Sequence, residues 1–284
     1  MSQQSIQTIA FLGPAGSFSE EAALAYAATH AGGAAQMLPV QSIPAVVTAI
    51  ETSAATVGIL PIENMLEGSV TFTLDLLIHE TGLRIAGEIV IPIRQYLVAR
   101  EGLALQEIEV LYAHPQSLGQ CRKFVERCLP NVMTIASLSN SVAPIEALAD
   151  PRPAAAISTL RAAEQNGAAI LAREIADNRS NVTRFIVLAQ HDSPPTGDDK
   201  TSFCFTFSQD RAGILVEVLQ ELAQDQINMT KLESRPSKEE LGNYIFLVDI
   251  NGHRNDDRVA HVLKRIAAKT RMLKVFGSYP RWKG

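Results

Sequence analysis

One pattern recurs along the first two-thirds of the chain and limits its fold more than any other feature. A short apolar run ends in a polar or glycine-bearing turn, and a helix follows. Ile9-Ala10-Phe11-Leu12 leads into Gly13-Pro14-Ala15-Gly16 and an Ala-rich helix opened by Ser17-Phe18-Ser19-Glu20-Glu21. Val57 to Ile62 leads into Glu63-Asn64, then Gly68 and a β-rich stretch. Val110 to Ala113 leads into His114-Pro115-Gln116-Ser117 and a helix from about Leu118 to Cys128. Thr134-Ile135-Ala136 leads into Ser137, Ser139, Asn140 and Ser141, then a helix through Ala149. Ala154 to Ile157 leads into Ser158-Thr159 and another helix. Strands alternating with helices predict an α/β domain with a largely parallel sheet. Ligands of such sheets bind beyond the carboxyl ends of the strands. Those ends carry Ser17, Glu63, Asn64, His114, Gln116, Ser139, Ser141 and Ser158, a polar cluster with few cations and no metal-ligand set.

A further stretch, Asn178 to Leu188, starts as a polar turn and ends as an apolar strand. Asn178 and Asn181 favour turns because their side chains bond nearby backbone. Phe185 to Leu188 reads as a buried strand. Thr183 and Arg184 stand where turn becomes strand, so a hydroxyl and a guanidinium are offered from a rigid element.

Each of these residues also has a plain structural role. Ser17 and Glu20 have capping-box spacing, and the other serines suit helix caps. His114 before Pro115 suits a structural histidine, and Glu63-Asn64 a simple turn. Thr183 suits an ordinary strand position and Arg184 a rim charge or a buried ion pair. The Gly13–Gly16 turn lacks the lysine of a Walker loop; it still offers backbone N–H groups suited to an anion. Spacing alone points to a small-molecule site without naming the ligand.

Composition sets the remaining bounds. The 284 residues are 46% hydrophobic and 19% charged, enough for a sizeable core in one or two domains. No run approaches the roughly 18 apolar residues of a membrane span, and the first residues lack a signal-peptide pattern. Cys121, Cys128 and Cys204 are odd in number and have no metal spacing, so neither a disulfide framework nor a zinc site is expected. The expected location is the cytoplasm. Residues 1–199 carry 11 cations against 20 anions, and residues 200–284 carry 14 against 10. The polar segment Ala189 to Asp199, with Pro194, Pro195 and Gly197, lies at this change and reads as a linker. The expected division is 1–190, 191–199 and 200–284. The basic residues Lys264, Arg265, Lys269, Arg271 and Lys274 alternate with apolar ones, so they read as a solvated face rather than a nucleic-acid surface.

After residue 200 the predicted order is strand (Thr201–Phe207), helix (213–224), strand (Ile227–Arg235), strand (Asn243–Ile250), helix (257–269) and strand (Met272–Phe276). This βαββαβ order is ferredoxin-like.

The motifs taken together resemble the prephenate dehydratases. The resemblance rests on Gly13-Pro14-Ala15-Gly16-Ser17-Phe18-Ser19, Pro61-Ile62-Glu63-Asn64 with Gly68 and Thr73-Leu74-Asp75-Leu76-Leu77, His114-Pro115-Gln116, and Asn181-Val182-Thr183-Arg184-Phe185. It covers residues 6 to 188, with Ser17 where the family usually has Thr. Asp210-Arg211-Ala212-Gly213-Ile214-Leu215 and Glu233-Ser234-Arg235-Pro236 resemble the ligand motifs of the family's ACT domain. The resemblance implies a two-lobed, periplasmic-binding-protein-like α/β catalytic domain with its site between the lobes, followed by a ferredoxin-like ACT domain. It implies the decarboxylating dehydration of prephenate to phenylpyruvate in phenylalanine biosynthesis, in a homodimer or homotetramer inhibited by L-phenylalanine. Aromatisation drives that reaction, so no cofactor or metal is implied.

The family's essential threonine matches Thr183, placed to hydrogen-bond the departing hydroxyl as a preorganised donor. Glu63, an acidic residue of these motifs, is expected as a general acid if burial raises its pKa. Ser17, Asn64, Gln116, Ser117, Ser158, Asn181 and Phe185 are expected to position substrate, and Arg184 to meet a carboxylate or form a structural pair. Ala212, Gly213, Ile214, Leu215, Asn228, Glu233, Ser234 and Arg235 are expected around phenylalanine. An arogenate dehydratase would use the same motifs. A non-enzymatic amino-acid sensor would keep both folds, but Thr183 and Glu63 argue against it. A periplasmic binding protein is disfavoured by the missing signal peptide.

Overall fold

A computed structural model describes residues 7–30, 35–209, 211–238 and 243–283. Asp210 of the proposed effector motif lies outside the described residues. The first lobe comprises β1 (Gln7–Leu12), α1 (Phe18–His30), β2 (Ala35–Val40), α2 (Ile43–Glu51), β3 (Val57–Asn64), β4 (Gly68–Ser69), α3 (Thr71–Asp75) and β5 (Arg84–Pro92). The second comprises β6 (Tyr96–Ala99), β7 (Val110–Ala113), α4 (Pro115–Gln120), α5 (Arg122–Cys128), β8 (Met133–Ala136), α6 (Ala143–Ala149), β9 (Ala154–Ser158), α7 (Leu160–Gln165) and β10 (Ala169–Ala172). The chain then returns to the first lobe as β11 (Val182–Ala189). The C-terminal domain comprises β12 (Asp199–Thr206), α8 (Ile214–Gln224), β13 (Met229–Pro236), β14 (Tyr244–Asn251), α9 (Asp257–Lys269) and β15 (Met272–Pro280).

Three sheets result. The first runs β2-β1-β3-β11-β5, with β4 on β3; the second runs β10-β6-β9-β7-β8; the third runs β13-β14-β12-β15. The third, with α8 and α9, is the ferredoxin-like arrangement. Neither of the first two sheets is wholly parallel, because β11 runs antiparallel to β3 and β5, and β6 antiparallel to β9 and β10. This matters for the site. An antiparallel β11 begins where β3 ends, so its first residues join the carboxyl ends of the parallel strands.

Local differences from the sequence reading have physical causes. The stretch after Gly68 is helical, passing from α3 into a π-helical turn at Leu76–Glu80, because packing of Leu74, Leu76 and Leu77 in the core outweighs strand propensity. The helix expected over 118–128 is broken at Cys121, which leaves helical geometry (φ −112°, ψ 15°) with its side chain fully buried. Strand β3 extends through Glu63 and Asn64, so these residues are strand rather than turn.

The segment 190–198 joins β11 to β12, and it is short enough for the two domains to pack directly on each other. Ile85, Leu60 and Leu188 of the first lobe share one apolar cluster with Cys204, Ile245, Leu247, Phe276 and Tyr279 of the C-terminal domain. A side chain at Gly277 on β15 would meet the Ile85 backbone on β5 at 2.2 Å from its carbonyl oxygen. Only glycine permits this approach. The ferredoxin-like sheet is therefore covered on one face by its own helices and on the other by the first lobe.

Candidate functional site

The two lobes are joined by two crossing segments, after β5 and before β11, which bond to each other through Ile175 N–H and Gln95 C=O (2.9 Å). The lobes also touch at the rim. Thr159, the N-cap of α7, donates to Gly16 C=O at 2.6 Å, and Arg161 Nη2 donates to Glu20 Oε1 at 2.9 Å. Gly16 has φ +83°, and a Cβ there would lie 2.9 Å from that of Ala162. The glycine turn thus serves close approach of one lobe to the other. Burial opposes ionisation of Glu20, but hydrogen bonds from Arg161 and Gly16 N–H outweigh it and lower its pKa.

Between the lobes lies a cavity of about 230 Å³, lined by Phe18, Ser19, Pro61, Asn64, Val70, Ile93, Gln95, Gln116, Ser117, Gln120, Asn140, Thr183 and Phe185. Its size suits a small molecule. A larger, open groove of about 660 Å³ runs along the linker past Arg84, His191 and Arg254, and it holds none of the strand-end residues.

Strand register decides which motif residues face the cavity. Thr183 is paired with Asn64 and Arg184 with Glu63. Successive residues alternate faces, so Thr183 and Asn64 point into the cavity and Arg184 and Glu63 point away. Asn64 is held rigidly. Its Oδ1 accepts from the N–H groups of Leu66 (3.0 Å) and Glu67 (3.1 Å). Its Nδ2 donates to Asn181 Oδ1 (3.0 Å) and to Thr183 Oγ1 (2.8 Å). Since Thr183 Oγ1 accepts from Asn64, its own proton is left for a bound molecule. Across the cavity, Gln95 Nε2 donates to Ser117 Oγ (3.1 Å), which donates to Asn140 Oδ1 (2.6 Å). Among the described residues no charged side chain lines the cavity.

The structure redistributes several expected roles. Gln116, Ser117, Asn64, Thr183 and Phe185 line the cavity together. Asn181 is buried behind Asn64 and orients it. Ser158, fully buried, donates to the Asn140 backbone carbonyl at 2.5 Å and so fixes the loop rather than lining the cavity. Ser17 caps α1, donating to Leu12 C=O and accepting from Glu20 N–H (both 3.3 Å); its neighbours Phe18 and Ser19 line the cavity instead. His114 caps α4, accepting at Nδ1 from Gln116 N–H at 3.3 Å. Ser139 caps the turn into α6, accepting from Val142 N–H, and Asn140 between the two serines reaches the cavity.

Glu63 is the main correction. Its carboxylate lies on the far face of β3, 3.2 Å from Lys231 of β13 and 3.6 Å from Arg184. It is not among the described residues that line the cavity. Glu63→Gln is accordingly expected to keep the shape of the pH–rate profile and to change turnover by no more than a few-fold. A flattened acidic or basic limb in that profile contradicts this placement.

Arg184 is also turned away. Its Nε donates to Glu88 (2.7 Å), Nη1 to Asp249 (2.8 Å) and Nη2 to the Tyr279 hydroxyl (2.7 Å). Lys200 completes a buried group of two cations and two carboxylates by pairing with Glu88 at 2.8 Å. Burial opposes the Glu88 charge, but Arg184 and then Lys200 outweigh it and lower its pKa. Arg184 thus makes the structural ion pair, one that joins β11 to the C-terminal domain.

The same alternation sorts the C-terminal candidates. Lys231, Glu233 and Arg235 of β13 face the first lobe: Ser69 donates to Glu233 Oε2 at 2.5 Å, and Arg235 pairs with Asp75 at 3.0 Å. Ser234 is exposed on the opposite face, as are Asn228 and the turn at Ala212 and Gly213, with Ile214 and Leu215 half-buried. Gly213 has φ +82° with open space around it. Ser234 and Gly213 are available to a ligand, whereas Glu233 and Arg235 are engaged by the catalytic part.

Sequence reasoning missed Ser19, Gln95, Gln120 and Asn140. Ser19 and Asn140 lie in the strand-end motifs, one or two residues from the positions chosen. Gln95 and Gln120 carry no motif signal.

Comparison with known proteins gives a consistent picture. The family model described as prephenate dehydratase matches residues 9–193, and that described as the ACT domain matches residues 202–268. The bifunctional chorismate mutase/prephenate dehydratase of Aquifex aeolicus is 41% identical over 273 residues, covering 96% of this chain and 73% of that protein. The crystal structure of prephenate dehydratase in complex with L-Phe from Arthrobacter aurescens has a TM-score of 0.87 at 35% identity, covering 96% of this chain and 90% of that one. GqqA, described as a novel type of quorum quenching acylase, has a TM-score of 0.85 at 27% identity, covering 98% of this chain and 99% of that one. Among the described residues no helix is long and apolar enough to cross a membrane.

Proposed function

Because this chain belongs to the prephenate dehydratase family and ends in an ACT domain, we propose that it converts prephenate to phenylpyruvate in the cavity between its lobes. The observation that carries the reading is the Asn64–Thr183 pair, which leaves a fixed hydroxyl with a free proton facing that cavity. In the reaction the ring carboxylate leaves as carbon dioxide, its bonding electrons enter the ring, and the ring carbon–oxygen bond breaks. The oxygen departs as water after gaining one proton. Thr183 stabilises the charge growing on that oxygen by hydrogen bonding, a preorganised effect that needs no titration near neutral pH. With Glu63 outside the cavity, the proton comes from solvent.

Prephenate brings two carboxylates into a site without cations. Neutral donors offset this charge: Ser19, Asn140 and Gln116, together with the N-terminal turn of α1, whose dipole favours anions. The acylase description of GqqA suggests hydrolysis as a second chemistry. Thr183 is a poor candidate for a nucleophile, since among the described residues its hydroxyl is bonded to the Asn64 amide and to no histidine or carboxylate. We place the reaction in the cytoplasm, in keeping with three free cysteines.

The test is to supply prephenate and arogenate separately to the pure protein and identify products. Phenylpyruvate from prephenate, at the higher kcat/KM, supports the reading; a preference for arogenate with phenylalanine as product assigns the same site to the aminated substrate.

Regulation follows the same lines. We assign L-phenylalanine to the ACT domain, between Gly213–Leu215 of one copy and Ser234 and Asn228 of another, in a homodimer or homotetramer. Coupling between such sites is typically about 1–3 kcal/mol. Ser234→Val is expected to raise the inhibition midpoint about tenfold while leaving uninhibited turnover unchanged. A phenylalanine titration of wild type and variant checks this, and an unchanged midpoint removes Ser234 from the effector site.

A further inference from the structure

Gln95 stands out among the cavity residues. It is 1% exposed, lies on the segment crossing between the lobes, and follows Ile93, whose N–H bonds to Asn181 C=O at 2.9 Å, two residues before Thr183. Its side chain lines the same cavity as Asn64 and Thr183. Its orientation is set by a chain of bonds. Nε2 donates to Ser117 Oγ, and Ser117 spends its one proton on Asn140 Oδ1. Among the described residues Gln95 Oε1 is then left without a partner although it is buried. A buried acceptor without a donor costs free energy, so such a group calls for an explanation.

The explanation follows from the chemistry of the proposed substrate, and it rests on the dehydratase reading above. Prephenate near neutral pH carries two ionised carboxylates, a ketone and a ring hydroxyl. Carboxylates and ketone only accept hydrogen bonds. The ring hydroxyl is the one donor. The unpartnered amide oxygen of this cavity-lining residue repels every other polar group of this molecule and attracts that one. We propose that Gln95 is a substrate-orienting and specificity-determining residue, its Oε1 accepting the hydrogen bond of the ring hydroxyl that is to leave.

The consequence is geometric. Thr183 donates to the hydroxyl oxygen while Gln95 accepts from the hydroxyl hydrogen. Together the two contacts fix rotation about the carbon–oxygen bond, so that an oxygen lone pair faces Thr183. The cavity is small enough for one bound molecule to meet both side chains. Sites built to hydrogen-bond a substrate hydroxyl reject analogues lacking it, because the site's polar group is then left unpaired.

The test compares two ligands on wild type and Gln95→Met, a replacement of similar length without polar atoms. One is prephenate. The other is its analogue with hydrogen in place of the ring hydroxyl, used as a competitive inhibitor. Gln95→Met is expected to lower kcat/KM for prephenate about tenfold and to leave the inhibition constant of the hydroxyl-free analogue unchanged. A role in cavity shape alone weakens both ligands together, and that result overturns the proposal, as does an unchanged kcat/KM for prephenate. If Gln95→Met does not fold, the same pair of measurements on Gln95→Ala separates the two outcomes in the same way. Failure of the dehydratase reading is seen separately, because wild type then shows no turnover of prephenate before any variant is compared.

Discussion

Thr183→Ala lowers turnover of prephenate by about 10²–10³-fold, the usual loss for one preorganised donor at a developing oxyanion, and leaves the melting temperature close to that of wild type. Thr183 is buried, and its hydroxyl touches the Asn64 amide. Removing it frees one amide hydrogen that keeps two other acceptors, Asn181 Oδ1 (3.0 Å) and Val182 C=O (3.3 Å). The fold therefore loses little. The reaction loses the donor aimed at the departing oxygen. Thr183→Ser restores the hydroxyl without the methyl group and recovers much of the rate. Steady-state kinetics with thermal melts on the three proteins check this, and near wild-type turnover in Thr183→Ala removes the residue from the mechanism.

Arg184→Met is expected to act on stability instead, costing about 3–5 kcal/mol, the range for removing one partner of a buried ion pair. The low end applies, because Glu88 keeps Lys200 and Asp249 keeps the Ser202 hydroxyl at 2.5 Å. The effect depends on pH. Glu88 has a folded pKa below its ordinary value of 4.5, after Arg184 and Lys200 outweigh burial. A carboxylate with a depressed pKa contributes stability above its unfolded pKa and loses it as pH falls through the folded value. In Arg184→Met that contribution shrinks. The stability gap between wild type and variant is therefore widest near neutral pH and narrows below about pH 4.5. Urea denaturation at several pH values measures it. A gap that is constant or widens on acidification contradicts the placement of Arg184 beside Glu88.

The two variants concern adjacent residues on one strand, and their separation explains what the sequence conceals. The pattern of strands, turns and helices is readable because each unit carries its own punctuation: an apolar run, a cap, a glycine. So is the ferredoxin-like domain, from periodicity over 200–284. The motif Pro61-Ile62-Glu63-Asn64 is readable as a strand end, but not which of its two polar residues faces the ligand. That depends on pairing with β11, over a hundred residues away. A shift of one residue exchanges the faces, so chemistry favours Glu63 where register favours Asn64. The same exchange separates Ser234 from Glu233 and Arg235. Gln95 is hidden for another reason. It follows Arg94 outside the strand-end motifs, and only the tertiary crossing of the lobes brings it to the cavity that Thr183 lines. The linker's proline and glycine content marks the boundary at 190–198 but not how the domains pack. What binds the domains is the shared core and the close approach of Gly277 to Ile85.

One consequence reaches regulation. β11 carries Thr183 on its cavity face and Arg184 on the face toward the C-terminal domain. Asp249 and Tyr279 of the C-terminal domain are both bonded to Arg184, one residue from Thr183. One strand, β11, thus carries both the contact to the C-terminal domain through Arg184 and the cavity-facing Thr183.

Dehydration and decarboxylation of prephenate in this cavity, with Thr183 as the donor, is most directly tested in a single turnover. Enzyme in excess over prephenate is quenched over time, and carbon dioxide and phenylpyruvate are both quantified for wild type and Thr183→Ala. The expected result is equimolar carbon dioxide and phenylpyruvate appearing together in wild type, and the same products far more slowly in the variant. Prephenate left unchanged by the wild-type protein, or equal rates in the two proteins, contradicts the assignment.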